Sequence, residues 1–394
     1  MNTSVTRATT GTVQRLILHV GPYKTGSTTI QTALHRNRES LIREGVFFPV
    51  NAVEPGQCIP VLRRFFSGDD FEKAFPWEEQ ELDIDEILRE MRQLGCGTLV
   101  LSSEHFSAAW TSDAVARVIA KIAPEQLTIV TAMRPAMEYV VSSFAQNLKL
   151  YEVVRGTPPV SLMDHFDGRL KPIWENGTLV SHIESWRSGV VNSSLEVLVF
   201  TSGRDVLELF QQATGLPLPN RDNLTLNERL SDCSSRANWD LQNFIARSYA
   251  TVAQQKELIA LALDGFINSP VPEHDCDCSE SISSTDVATI EGSFRVYRDR
   301  LLESATTVWG DPACLEPDPS RLFSVPRRPD QTSHDLVVKM LLVALSKTGA
   351  IFRDMAEGNE FWQETSRNHE EAAAFWRQQY EGLASAADSS PAIG

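Results

Sequence analysis

The 394-residue chain predicts an α/β fold: a parallel sheet flanked by helices, with a largely helical C-terminal third. Three observations lead there. Four short, nearly continuous apolar runs occupy residues 15–20 (RLILHV), 98–101, 127–133 (LTIVTAM) and 195–200 (LEVLVF). Each is followed by a stretch with helical spacing. Strands that are apolar on both sides must be covered on both faces, and alternation with helices is the pattern that does this.

Taken in order, the first strand ends at Gly21, and a polar turn leads into residues 28–43, where Ile30, Ala33, Leu34, Leu41 and Ile42 fall near one helix face. The second strand ends in Ser102-Ser103-Glu104-His105. The third runs into Arg134-Pro135, and the fixed φ of proline suits the first turn of a helix. The fourth leads to a helical stretch from Arg204 and a Thr214-Gly215-Leu216-Pro217 turn. Residues 151–190 are rich in Pro, Gly, Asp and Trp and read as an irregular insertion that shapes an acceptor site. Beyond residue 235 the patterns at 236–263, 291–302, 336–347 and 358–379 are helical, and 265–285 is polar and turn-like. The organisation expected is a disordered start (1–14), an α/β core (15–235) carrying the insertion, a helical extension packed on the core (236–383) and a disordered tail (384–394).

Composition narrows the function. Apolar residues make up 42% and charged residues 22%, ordinary values for a globular protein. A net charge of −16 opposes non-specific nucleic-acid binding, which needs a basic footprint, but leaves room for a local anion pocket. The longest nearly apolar stretch, residues 336–345, is half of a membrane span. Residues 1–14 hold no apolar run of a secretory signal, so the six scattered cysteines are expected to be reduced thiols in a cytoplasmic protein. His274-x-Cys276-x-Cys278 lacks a second ligand pair and reads as an acidic surface loop, so no metal is expected. Oligomeric state is not readable.

The informative segment is Gly21-Pro22-Tyr23-Lys24-Thr25-Gly26-Ser27-Thr28-Thr29, after a strand and at the start of a helix. A turn placed there aims backbone N–H groups and a helix N-terminus at one point, which suits an anion. Lys24 adds a point charge; Ser27 and Thr28 add hydroxyls. In a nucleoside-triphosphatase loop the lysine directly follows the second glycine. Here Lys24 precedes Gly26 by two, and the strand ending near Val130 leads to Arg134, not to a metal-binding aspartate. Both features argue against an ordinary ATPase or kinase.

The order Lys24-Thr25-Gly26-Ser27-Thr28 after a strand resembles the 5′-phosphosulfate loop of sulfotransferases that use 3′-phosphoadenosine 5′-phosphosulfate (PAPS), and LHVGPYKTGSTTIQTAL is similar to the bacterial branch. Arg134 at a strand end with Ser142 eight residues on, followed by Phe144, resembles the family's 3′-phosphate motif, one residue tighter at the proline; Ser143 is the substitute. Residues 195–235 fit the family loosely, and Arg327-Arg328 is a weak stand-in for its third, basic motif. The resemblance implies a P-loop-type fold, metal-free transfer and release of 3′-phosphoadenosine 5′-phosphate. It implies that Tyr23, Lys24, Thr25, Gly26, Ser27, Thr28 and Thr29 hold the 5′-phosphosulfate and that Arg134 and Ser142 hold the 3′-phosphate. Lys24 would neutralise the leaving oxygen. An acceptor hydroxyl or amine, on a small molecule, lipid or sugar, also needs a base. Ligands sit beyond the carboxyl ends of strands, where Glu104 and His105 are the candidates, with His182, His165 and Asp164 weaker ones. A non-catalytic nucleotide-binding protein and an atypical P-loop kinase are the alternatives.

Overall fold

The computed structural model describes residues 12–49, 58–66, 70–71, 82–149, 161–200, 205–219, 279–318 and 323–326. A six-stranded, all-parallel sheet forms the centre, in the order β2-β3-β1-β4-β5-β7. Its strands are β1 (Arg15–His19), β2 (Val46–Phe47), β3 (Thr98–Ser102), β4 (Gln126–Met133), β5 (Asn192–Val199) and β7 (Thr307–Gly310). The connecting helices are α1 (Ser27–Arg36), α2 (Arg38–Arg43), α3 (Ile84–Gln93), α4 (Ser112–Ile122), α5 (Ala136–Lys149), α6 (Leu162–His165), α7 (Lys171–Asn176), α8 (Thr178–Ser188), α9 (Val206–Thr214) and α10 (Ser284–Ser304). All four strands expected from the sequence are present, and the α/β class holds.

Apolar runs become strands here because both faces are covered: Leu16, Ile17, Leu18, Leu99, Val100, Leu101, Ile129 and Val130 are essentially inaccessible. From β1 the chain moves first towards β2 and β3, then crosses to β4 on the other side. The loops after β1 and β4 therefore diverge and open a crevice at the carboxyl ends of the two strands, the usual ligand position in such sheets.

Several expectations change. The helix expected over 28–43 is two, broken at Asn37, whose side-chain amide donates to the Ala33 carbonyl at 2.9 Å and competes with continued helix. The stretch 161–190 is not irregular. It is a run of short helices in which Phe166–Leu170 forms a π-helical turn, Pro172 lies in the first turn of α7, and Gly177 ends that helix at φ 60°. Apolar residues there serve as core: Trp174 is buried against Tyr139, Phe166, Phe294 and Tyr297. Finally, the segment after 235 is not only a helical extension. β7 is an edge strand of the central sheet itself, paired with β5, and Trp309 Nε1 donates to buried Glu196 at 2.8 Å. The expected disorder does not reach residues 12–14, where Val13 is buried and the Gln14 N–H donates to the Gly97 carbonyl at 3.0 Å. The expected helices at 236–263, 336–347 and 358–379, residues 1–11 and 384–394, Cys233, His274, Cys276, Cys278 and Arg327-Arg328 lie outside the described residues.

The chain divides into two compact units: one comprises residues 1–143, 163–227 and 283–322, the other 144–162, 228–282 and 323–394. The sheet lies in the first. In the second, β6 (Ser279–Ser281) and β8 (Ser324–Pro326) form a short antiparallel ladder. Among the described residues, Cys58, Cys96 and Cys314 are free thiols, and no helix is long and apolar enough to cross a membrane.

Two imidazoles are buried in the first unit. Burial lowers His19 to about 4. His165 shares a hydrogen bond with Ser143 Oγ through Nε2 at 3.0 Å and is lowered to about 4 by burial, with the Arg169 charge adding to it.

Two outcomes are expected. Trp174→Ala should lose about 3–5 kcal/mol of stability in denaturant titrations, because an aromatic side chain closed in by four rings leaves a cavity. Stability should also fall with acid. An unfolded histidine takes up its proton near pH 6.5, whereas the folded ones resist until about 4. The stability is therefore intact above pH 6.5 and lost progressively down to pH 4, by up to roughly 3 kcal/mol per group. His165→Asn should flatten this acid slope in urea midpoints measured across the range. An unchanged slope would mean His165 is not one of its sources.

Candidate functional site

The loop that follows β1 is shaped by two residues in left-handed conformation, Lys24 at φ 65° and Gly26 at φ 85°. Glycine tolerates this freely; a lysine does so only under constraint. Gly26 has a second reason to be glycine: a Cβ there would lie 2.7 Å from a methyl of Val206, where α9 closes against the loop. Thr25 Oγ1 donates to the Pro22 carbonyl at 2.6 Å and tightens the bend. α1 then begins at Ser27 without a side-chain cap, so its positive end faces the loop.

The reversed conformation at Lys24 takes its carbonyl away from any helix or strand partner, and Arg134 supplies one. The Arg134 guanidinium donates from one terminal nitrogen to the Lys24 carbonyl at 3.1 Å and from the other to Glu138 Oε2 at 3.0 Å. It also lies over the Phe200 ring, 5.9 Å from the centroid. Its Nε is buried without a hydrogen-bond partner among the described residues. Glu138, its side chain 4% exposed, comes one turn into α5. The sequence reading did not single it out, although spacing of four from Arg134 is the signal for a helical ion pair. Ser142 follows one further turn along α5 and is half-buried, while Ser143 is committed to His165. Of the two serines, Ser142 therefore keeps the position on the Arg134–Glu138 side of the helix.

Beyond β3, Ser103 caps a short 3₁₀ turn (Glu104–Ser107) by accepting from the His105 N–H at 3.2 Å. Capping is thus the work of Ser103. His105 Nδ1 shares a 2.5 Å hydrogen bond with the Tyr23 hydroxyl, and the rings meet edge to face. This contact joins His105 to the loop after β1 across 82 residues of sequence. Glu104 acts electrostatically on Tyr139, as does Arg134: burial raises the Tyr139 phenol first, Arg134 opposes this and Glu104 adds to it.

Beneath the loop lies His19, the one polar side chain of β1's buried stretch. His19 and Ser102 are register partners on adjacent strands, and His19 Nδ1 shares a 2.8 Å hydrogen bond with Ser102 Oγ. A Cβ on Gly21 would lie 2.5 Å from Ser27 Oγ and 3.2 Å from both His19 Nε2 and Thr25 Oγ1. Gly21 is therefore required for close approach of polar atoms to the backbone. The signal for His19 was a histidine inside an otherwise aliphatic strand.

The structure thus gathers Tyr23, Lys24, Thr25, Gly26, Ser27, Arg134 and His105 at the ends of β1, β3 and β4. Thr28, exposed, and Thr29, half-buried, occupy the first turn of α1. The weaker candidates are used elsewhere: His165 by Ser143, His182 against Trp186 on α8, while Asp164 is exposed on α6. A groove of about 550 Å³ lined by Ala120, Pro124, Trp186 and Val191 opens at the opposite, amino-terminal ends of β4 and β5, away from this chemistry.

No protein-family model matches the chain, and no curated protein matches it. Among solved structures, a chain from the PezAT chromosomal toxin-antitoxin system of Streptococcus pneumoniae shares 13% identity over 56% of this chain and 87% of that one. Its TM-score of 0.24 is too low to bear on fold or function.

Proposed function

We propose that the protein is a PAPS-dependent sulfotransferase that moves a sulfuryl group in line to a hydroxyl or amine of a small-molecule, lipid or sugar acceptor. The observation that supports this best is the contact between its two nucleotide motifs: Arg134 bonds the carbonyl of Lys24, 110 residues away in sequence. The order of residues in the loop, lysine before the glycine, separates the reading from an ATPase.

The residues fit a phosphate-bearing ligand. Ser27 Oγ, His19 Nε2 and Arg134 Nε are buried polar atoms without hydrogen-bond partners among the described residues. Arg187 Nε and Tyr297 Oη are in the same position elsewhere, so what supports the reading is that these three lie together at the ends of β1 and β4. When bound, PAPS supplies the activated sulfuryl group. The chain's part is positioning and charge stabilisation. Lys24, in the turn between β1 and α1, is the residue whose ammonium would offset charge on the leaving phosphate oxygen. The first turn of α1 orients the 5′-phosphate. Arg134 reads the 3′-phosphate by exchanging its carboxylate partner Glu138 for the phosphate, the stronger bidentate acceptor. For the base, His105 is held by Tyr23: with Nδ1–H donating to the phenol oxygen, Nε2 carries the lone pair that takes the acceptor proton. Glu104, beside it in sequence, is the other candidate.

Calorimetric titration with 3′-phosphoadenosine 5′-phosphate against ATP–Mg²⁺ tests the reading, and preference for ATP–Mg²⁺ would sink it. Tight bisphosphate binding without turnover on a broad acceptor panel would favour a non-catalytic nucleotide-binding protein. Lys24→Ala is expected to lower turnover by about 10²-fold or more while the chain stays folded. Arg134→Ala should weaken the bisphosphate more than adenosine 5′-phosphosulfate; equal weakening would remove Arg134 from 3′-phosphate recognition. At saturating donor, Glu104→Gln and His105→Gln should differ sharply in turnover, the larger loss identifying the base.

A further inference from the structure

Resting on the sulfuryl-transfer reading above, we propose that Trp110 selects the acceptor: with Phe66 and Tyr23 it forms an aromatic wall beside His105, against which the acceptor lays a flat aromatic ring that bears its hydroxyl. The acceptor class is then an aryl hydroxyl compound and not a sugar.

Exposure is the first observation. Tyr23, at 42%, and Trp110, at 50%, are the two exposed Phe, Tyr or Trp side chains among the described residues. Apolar residues exposed singly are common and need no ligand. These two, however, are both tied to one residue. Tyr23 shares a 2.5 Å hydrogen bond with His105 Nδ1 and meets its ring edge to face. Trp110 belongs to a second 3₁₀ turn, Ala109–Thr111, held to the His105 carbonyl by the Ala108 N–H at 3.1 Å and by Thr111 Oγ1 at 3.0 Å.

The wall is built from the core outward. The Cys58 N–H donates to the Ser102 carbonyl at 2.9 Å, so a 3₁₀ stretch (Ile59–Phe65) starts at the carboxyl end of β3. It delivers Phe66 edge-on to Trp110, with ring centroids 6.0 Å apart, and edge-on to buried Phe71 at 5.5 Å. The indole is thus held at its edge while half exposed. An aromatic guest gains apolar burial and an oriented ring–ring contact there.

The polar groups of this rim decide against a sugar, which needs hydrogen-bond partners along its edge. Ser107 Oγ donates to the Glu104 carbonyl at 2.6 Å, and Thr111 Oγ1 lies 3.0 Å and 2.8 Å from the His105 and Ala108 carbonyls. Both hydroxyls are turned into the backbone of their own turns, and the Tyr23 hydroxyl is engaged with His105. What the rim presents is ring surface. An aryl hydroxyl, with the phenol pKa of about 10, also yields its proton to a side-chain base more readily than an alkyl one.

The test uses the full chain labelled with 5-fluorotryptophan and saturated with 3′-phosphoadenosine 5′-phosphate. The Trp110 ¹⁹F resonance is identified by its loss in Trp110→Phe. Titration with 2-naphthol should shift that resonance, and titration with methyl α-glucoside should leave it in place. Trp110→Ala should weaken 2-naphthol about tenfold, whereas Trp110→Phe, which keeps a ring, should hold it within about threefold. If 2-naphthol does not bind, binds with the Trp110 resonance unmoved, or is matched by the glucoside, the proposal is overturned, and bound bisphosphate leaves the donor reading standing. A wild-type chain that does not bind the bisphosphate overturns both. The resonance is read in the wild-type sequence, so it decides even where Trp110→Ala fails to fold.

Discussion

The hydrogen bond from Arg134 to the Lys24 carbonyl is the interaction on which the candidate site depends. A lysine in left-handed conformation costs roughly 1–2 kcal/mol, and its carbonyl is left without a regular partner. A charge-assisted, half-buried hydrogen bond is worth about 1.5–3 kcal/mol, enough to offset that strain. Glu138 completes the arrangement by fixing the guanidinium from the helix side. The loop is therefore held open by a neighbouring strand and not by its own sequence. Because β4 lies beside β1, the brace arrives where β1 ends.

Polar side chains have been placed under the loop at a cost in core packing. His19 and Ser102 sit side by side in strands that are otherwise aliphatic, and their mutual hydrogen bond meets only one of the two imidazole nitrogens. A leucine at position 19, with an apolar partner at 102, would bury more apolar surface. A buried polar group that remains half paired in the middle of a well-covered sheet is the kind of local exception that function imposes on stability. On the opposite rim, the Tyr23–His105 pair ties the end of β3 to the same loop, so the three strand ends form one connected polar surface. The acidity of the whole chain, −16, is compatible with this because a small anion needs only a few local donors.

Much of this was legible in advance. Short apolar runs separated by helical periodicity specify a parallel sheet through burial alone, and the four runs at 15–20, 98–101, 127–133 and 195–200 are four of its strands. β2 and β7 escaped notice because a two-residue strand and a four-residue edge strand are too short to show a pattern; they exist by pairing with β3 and β5. The stretch 161–190 misled because Pro172 and Gly177 resemble loop punctuation, while here they start and stop a helix whose Trp174 supplies core.

The amino-acid sequence by itself determined the strand-turn-helix of the loop, the order of lysine and glycine within it, and the presence of an arginine at the end of a later strand. These are local facts, written in spacing and residue chemistry. Only the tertiary structure decided that Arg134 braces Lys24 and is held by Glu138, that His105 meets Tyr23, and that His19 lies beneath Gly21 with one nitrogen unmet. Those contacts depend on which strands become neighbours and in which register. That choice is made by burial of the whole sheet, which no short segment encodes.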